Sequence, residues 1–356
     1  MVNMKLILSI FEQLSGLKIN FHKSELYWFG KAKEMQNEYR EIFGCEVGSL
    51  PLKYLGIPIH YRKLLIKEWK MIEDRFEKKL GCWASKMLSY GDRLVLINSV
   101  LSSLPMFLLS FFQIPMGVRK RLDYFRSRFF WQSEQHKRKY RLTKWNIICR
   151  PKDQGRLGIE DLQIKNKCLL SKWIFKILNE KGVWHELLCN KYLNGKTLAQ
   201  TEPKPHDSPF WKGIMAVKND FFERGTFVVG NGLQTRFWED AWLGNKPLAV
   251  QYPSLYNIVQ HKNVLVGKVL ANNPLNIVFR RPIIGDKMVS WLKLVERLMR
   301  VSLSDTEDRF KWNLTNNGVF TVKSLYQDYM NGHTPFLRKY LWKLIVLSKS
   351  KFSCGF

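Results

Sequence analysis

The chain has 356 residues, with 58 Lys and Arg against 30 Asp and Glu, and a net charge of +28. Its 13 Trp, 23 Phe and 13 Tyr exclude a disordered basic tail, and the length is enough to bury a large core in two or three domains. The charge excess points to a polyanionic partner, most simply nucleic acid and less simply an anionic membrane face.

Leu6, Ile10 and Leu14 recur on one helix face, and Ser15-Gly16 ends that run. Residues 17–21 alternate like a strand. A second helical pattern covers about 31–43. Residues 50–59 read as extended, since Pro51 and Pro58 break any helix there. Trp69, Ile72, Phe76, Leu80 and Trp83 predict a helix within 64–89. Gly91-Asp92 punctuates, and residues 94–118 then carry no charge. Leu94, Ile97, Leu101, Leu104 and Leu108 follow helical steps there, while Asn98, Ser99, Ser102, Ser103, Pro105, Ser110 and Gln113 interrupt. That pattern predicts a long buried core helix in preference to a membrane span. Pro115 opens another helix, with Leu122, Phe125 and Phe129 on one face, and a charged loop follows at 133–141.

Residues 161–193 predict one or two helices holding Trp173, Ile177 and Trp184. Residues 200–209, with Pro203, Pro205 and Pro209, read as a linker. Residues 227–230 and 233–238 flank Asn231-Gly232, the strongest short hairpin signal. Residues 243–285 read as irregular and 286–300 as a helix. A short hairpin around Asn316-Asn317-Gly318 precedes a helix from Val322. No fixed-period repeat or low-complexity tract stands out.

The cysteines Cys45, Cys82, Cys149, Cys168, Cys189 and Cys354 are widely spaced with no CxxC pair. They read as free thiols in a reducing, intracellular compartment, not as a disulfide framework or a zinc site. The N-terminal residues lack a signal-peptide layout. None of the seven His has a Ser or Cys partner in a nucleophile motif, and no glycine pattern cradles phosphate. The pairs Glu73-Asp74, Glu160-Asp161, Glu239-Asp240 and Glu307-Asp308 are poor two-metal ligand sets, since neighbours on a helix diverge. Trp238 and Trp242 fit core packing better than base stacking.

The densest basic stretch is 119–150, where 11 basic residues face only Asp123 and Glu134. Arg119, Lys120, Arg121, Arg126, Arg128, Lys137, Arg138, Lys139 and Arg141 are the candidate nucleic-acid-binding residues. Arg119 and Arg126 are seven apart, as are Arg121 and Arg128, so each pair is expected on a shoulder of the Leu122/Phe125/Phe129 face. A helix showing cations on both shoulders can lie along a phosphate backbone. The blander reading is an ordinary solvated helix face. Residues 137–141 also fit a nuclear-import patch.

The order of several segments resembles the C-terminal half of a plant LINE-type, non-LTR retrotransposon reverse transcriptase. Phe11-Glu12-Gln13-Leu14-Ser15-Gly16-Leu17-Lys18-Ile19-Asn20 with Lys23-Ser24 is similar to the segment just after the catalytic acidic motif. Leu50-Pro51 and Tyr54-Leu55-Gly56-Ile57-Pro58 resemble the end of the palm. Gly91-Asp92-Arg93-Leu94 with Ile97, Ser99-Val100-Leu101 and Pro105 resembles the thumb. Trp145, Cys149, Pro151-Lys152 and residues 155–161 resemble the segment that follows it, and Gly230-Asn231-Gly232 with Phe237-Trp238 and Asp240-Ala241-Trp242 its downstream hairpin. Phe310-Lys311-Trp312, Gly318-Val319-Phe320-Thr321-Val322-Lys323-Ser324-Leu325-Tyr326 and Leu341-Trp342-Lys343 resemble the start of the reverse-transcriptase zinc-binding domain. Single motifs here are weak; their joint order is specific.

The resemblance implies a helix-dominated α+β chain: a palm remnant (1–62), a helical thumb-like domain (63–150), a mixed connecting region with β-hairpins (151–305) and the truncated start of a zinc-binding domain (306–356). The family's polymerases hold two metal ions with aspartates, including an adjacent Asp-Asp pair; this sequence has no Asp-Asp, and its first Asp is Asp74. The expectation is therefore a retroelement fragment without polymerase activity, catalytic residues or metal ligands of its own. Mg and Zn belong to the full-length family, and Cys354 alone is no zinc site. The expected partner is an RNA or DNA duplex gripped through backbone phosphates, not a membrane. The rival readings are a domesticated nucleic-acid-binding protein, an active polymerase whose N-terminal half is absent from the gene model, and a membrane-associated basic protein resting on 94–118.

Overall fold

The computed structural model describes residues 2–28, 36–54, 56–59, 64–84, 88–131, 143–154, 156–271 and 275–331. The chain divides into two compact units, Met1–Glu68 and Trp69–Phe356. Among the described residues helix dominates and the sheets are three two-stranded pairs, which is the α+β, helix-dominated class expected.

The first unit opens with α1 (Val2–Ser15). Gly16 ends it in the left-handed region at φ +70°, its N–H donating to Glu12 O at 3.0 Å. The predicted apolar stripe is present but lies on the surface; Leu6, Ile10 and Leu14 are all exposed, Leu14 by 83%. Residues 17–20 are not a strand. Among the described residues no strand pairs with them; instead the Glu12 carboxylate accepts from Ile19 N at 2.5 Å, and Asn20 caps a 3-10 turn, Phe21–Lys23. Strand β1 (Glu25–Leu26), helix α2 (Gln36–Phe43) and strand β2 (Glu46–Val47) follow, β1 and β2 pairing in parallel. Strands β3 (Leu52–Tyr54) and β4 (Ile57–Ile59) form an antiparallel pair.

In the second unit α3 (Lys70–Ala84) buries Ile72 and Phe76 beside Trp69. Helix α4 (Tyr90–Leu96) starts earlier than expected. Ser89 Oγ accepts from Asp92 N while the Asp92 carboxylate accepts from Ser89 N, so Gly91-Asp92 is the first turn of a capped helix and not a break. The uncharged stretch is not one helix either. It runs from α4 into a π turn, Ile97–Leu101, then α5 (Met106–Leu109). Among the described residues no helix is long and apolar enough to cross a membrane. Helix α6 (Met116–Trp131) packs on α3 and α4, and α7 (Trp145–Ile148) follows.

Asp161 caps α8 (Leu162–Asn179), accepting from Gln163 N and Ile164 N at 2.8 and 3.1 Å. Helix α9 (Val183–Leu188) continues into a π turn, Cys189–Leu193. Residues 200–208 are not a free linker. Lys218 Nζ donates to Thr201 O at 2.7 Å and Ala199 O at 3.2 Å, fastening the segment to α10 (Pro209–Phe222). That helix is absent from the expected elements, although Trp211, Ile214, Val217 and Phe221 recur at helical steps.

Strand β5 (Gly225–Val228) then pairs antiparallel with β6 (Arg309–Trp312), not with residues 233–238. Between them lie α11 (Leu248–Gln251), α12 (Pro253–Tyr256), α13 (Val266–Leu270) and α14 (Asp286–Leu298); α15 (Val322–Asn331) follows β6. One core joins α8, α10, β5, β6 and α15 through Ile174, Trp211, Phe221, Phe227, Trp312 and Leu325. The expected boundary at 305 therefore runs through a shared core. The boundary at 150 is also bridged: Asn166 Nδ2 on α8 donates to Leu109 O and Phe112 O, and its Oδ1 accepts from Ile114 N. A second core gathers Phe237, Trp238, Leu255, Val266 and Leu294.

Candidate nucleic-acid interface

Helix α6 carries five of the nine candidate cations. At 100° per residue its buried side holds Val118, Leu122, Arg126 and Phe130, with Phe125 and Phe129 half-buried at its edge. Its exposed side holds Lys120, Tyr124 and Arg128 at i, i+4 and i+8, with Arg121 alongside. Over this span the stripe is about 12 Å long, against a phosphate every ~3.4 Å of axis on one DNA strand. Tyr124 was not among the expected residues; its spacing between two cations is the signal that would have found it.

The expected shoulders are not what the helix shows. Arg126 is fully buried, so it does not face a phosphate. Its Nη1 donates to Glu160 O at 2.8 Å and to Ser102 Oγ at 3.2 Å, and its Nη2 pairs with Asp123 Oδ1. The guanidinium also lies 5.6 Å from the centre of the Trp145 ring, and Trp145 Nε1 donates to Asp123 Oδ1 at 3.3 Å. Arg126 is a structural cation linking α6 to the segments before and after it. Its Nε has no partner among the described residues. Burial extends to Arg126 because the buried arc of α6 is wider than the Leu122/Phe125/Phe129 stripe.

The other α6 cations divide. Arg119 is half-buried and donates to Gln163 Oε1. Arg121, 59% exposed along its side chain, pairs with the buried Glu73 carboxylate of α3 at 2.9 Å. Lys120 and Arg128 are exposed. Lys137, Arg138, Lys139 and Arg141 lie outside the described residues, as does the nuclear-import reading of 137–141. Lys144, at the N-cap of α7, is exposed and adds a cation near the stripe in sequence.

The acidic pairs are used one by one in the fold. Glu73 holds Arg121, Asp161 caps α8, and Asp240 accepts from Arg236 Nε and Nη2 at 3.1 and 2.9 Å. Asp308 is 4% exposed and surrounded by donors. Its Oδ1 accepts from Gly230 N and Gly232 N at 2.8 and 2.9 Å; its Oδ2 accepts from Gln234 N at 3.0 Å and Thr235 Oγ1 at 2.7 Å. The Asn231-Gly232 segment is therefore not a hairpin tip but a loop folded around a distant carboxylate. A Cβ on Gly230 would meet Thr306 O at 2.1 Å, so only glycine fits there. Trp238 is fully buried, in keeping with core packing. Among the described residues no group of three His, Cys, Asp or Glu converges to hold a metal ion. Burial pushes the Cys149 and Cys168 thiols up to about 12, so both are inert at neutral pH.

No family model matches the chain. A protein of Arabidopsis thaliana, provisionally named a ribonuclease H protein, is 29% identical over 283 residues, which is 76% of this chain and 44% of that protein. An uncharacterized mitochondrial protein of the same plant is 28% identical over 144 residues, 40% of this chain and 93% of its own length. The chain thus spans less than half the length of the first of these relatives.

Proposed function

We propose that the chain is the duplex-gripping region of a plant LINE-type retroelement reverse transcriptase and has no polymerase activity of its own. The observation that carries this reading is the exposed Lys120–Tyr124–Arg128 stripe with Arg121 beside it, in a segment where acids are scarce. Cations spaced along one helix face neutralise successive phosphates, and the tyrosine lays its ring between them. The ordered sequence motifs support the retroelement assignment, and a relative named for ribonuclease H supports a nucleic-acid partner. The lack of any Asp-Asp pair supports the absence of polymerase chemistry, which needs clustered carboxylates to hold two divalent ions.

Duplex binding measured by fluorescence anisotropy across a salt series tests the grip. The Lys120→Ala/Arg128→Ala variant should weaken binding and make the log–log salt slope shallower by about 1.8, at about 0.9 per phosphate contact. An unchanged slope removes α6 from the interface. Primer extension with the purified chain and Mg should stay at background; metal-dependent extension would overturn the second half of the proposal.

A further inference from the structure

Among the described residues of the second unit, three of the cavities differ in the charge of their linings. The cavity between α10, β5 and residues 236–250 is lined by Glu202, Glu223, Glu239 and Asp240 as well as by Lys218 and Arg236. Lys218 is engaged by two backbone carbonyls and Glu202, and Arg236 by Glu239 and Asp240, while the third lining cation, Lys246, is exposed. Its four carboxylates outnumber its three cations, which disfavours an anion.

The other two cavities, of about 510 and 530 Å³, share Gly195 in their linings and contain no acidic residue. The first has apolar walls from Ile177, Leu193, Phe227 and Leu233, with Asn190, Asn194, Lys196 and Gln234 also in its lining. The second is lined by His261, Lys262 and Lys268; both lysines are exposed. Lys262 Nζ lies 4.5 Å from the centre of the Tyr256 ring, a cation–π contact that positions the ammonium group. The frame is fixed by hydrogen bonds. Gln200 Nε2 donates to Asn263 O at 2.9 Å across the second cavity, and Gly267 N donates to Gly232 O at 2.9 Å behind the loop that supplies Leu233 and Gln234. Asn194 and Gly195, both in the lining of the first cavity, take left-handed backbone, φ 48° and 78°.

An apolar slot edged by carboxamides takes the faces and edges of a nucleobase. A cationic, acid-free recess next to it takes the phosphate of the adjoining nucleotide. We propose that these neighbouring cavities bind single-stranded nucleic acid, with a base in the Leu193/Leu233 slot and backbone phosphate on Lys262 and Lys268. The proposal goes beyond duplex gripping by α6 and uses none of its residues.

The test uses the full chain and a labelled eight-nucleotide single strand, followed by anisotropy from low to high salt. The Lys262→Ala/Lys268→Ala variant should weaken strand binding and make its log–log salt slope shallower by about 1.4, at about 0.7 per contact. Leu233→Trp, an exposed position that fills the slot, should weaken binding about tenfold or more with the slope unchanged. Duplex affinity should be unaltered in both variants, and a failure of duplex binding in the parent chain leaves the strand measurements readable. Unchanged strand affinity in both variants overturns the proposal. So does an equal loss of duplex binding, which would mark a diffuse cationic surface. Displacement of the strand by adenosine monophosphate as effectively as by unlabelled strand overturns it as well, making the cavities a free-nucleotide site.

Discussion

Arg126 and Asp308 are both buried charges, held in opposite ways. Arg126 sits in a socket assembled from one hydroxyl, one carbonyl, one carboxylate and an aromatic face, and one of its nitrogens has no partner among the described residues. Asp308 has two oxygens and four donors, three of them backbone N–H groups of one loop. The cation adapts to packing that exists for other reasons. The anion determines the path of the chain around it. A count of charges in the sequence treats the two alike, and treats both like Lys120, which faces solvent.

The contrast can be broken by substitution, and Asp308 should give the largest effect. Asp308→Ala strands four donors at once and should cost about 4 kcal/mol in urea unfolding, since each buried donor left unmade costs ~1–3 kcal/mol with partial relaxation. A loss below about 1 kcal/mol would show that water or another acceptor can fill the cradle. Gly230→Ala should cost about 3 kcal/mol, because the clash with Thr306 O is against backbone. Arg126→Met should cost less, about 2 kcal/mol, because the Asp123 carboxylate it leaves is 28% exposed and can reach water. A cost equal to that of Asp308→Ala would remove the distinction between adapting and determining charges.

Thiol labelling sharpens the same comparison without unfolding. In the folded parent chain Cys82, which is exposed, should react first, and the buried Cys149 should stay protected. The Arg126 charge opposes the rise that burial imposes on Cys149. Arg126→Met should therefore leave Cys149 unreactive if the socket stays closed, and label it if the socket opens. The smallest effect is expected for Lys120→Ala, within about 0.5 kcal/mol of the parent stability.

Much of the fold was legible where pattern and packing are local. The stripes of α1, α3, α14 and α15 follow helical steps, and all four helices form. Two of the failures trace to distant partners. The Asn231-Gly232 turn rule assumes that the flanking residues pair with each other, but β5 finds β6 instead. Heptad spacing placed Arg126 on a shoulder, yet the carbonyl that holds it comes from residue 160, 34 positions on. The missed helix α10 had its period in plain view behind a proline cluster, where Ser208 caps it and Pro209 begins it. Of the candidate interface, Lys120, Arg121 and Arg128 were legible as exposed cations; the cavities near Gly195 were not, since they gather residues from 177 to 268.

The Asp308 cradle also sets an order of events at the ribosome. Gly230 precedes its acceptor by 78 residues, which takes about 4–16 s to synthesise at ~5–20 residues per second. For that time the loop has no carboxylate to close on, and β5 has no partner strand. The slot wall that carries Leu233 and Gln234 can therefore be completed only after β6 has emerged, so shape at this end of the second unit is acquired late and all at once.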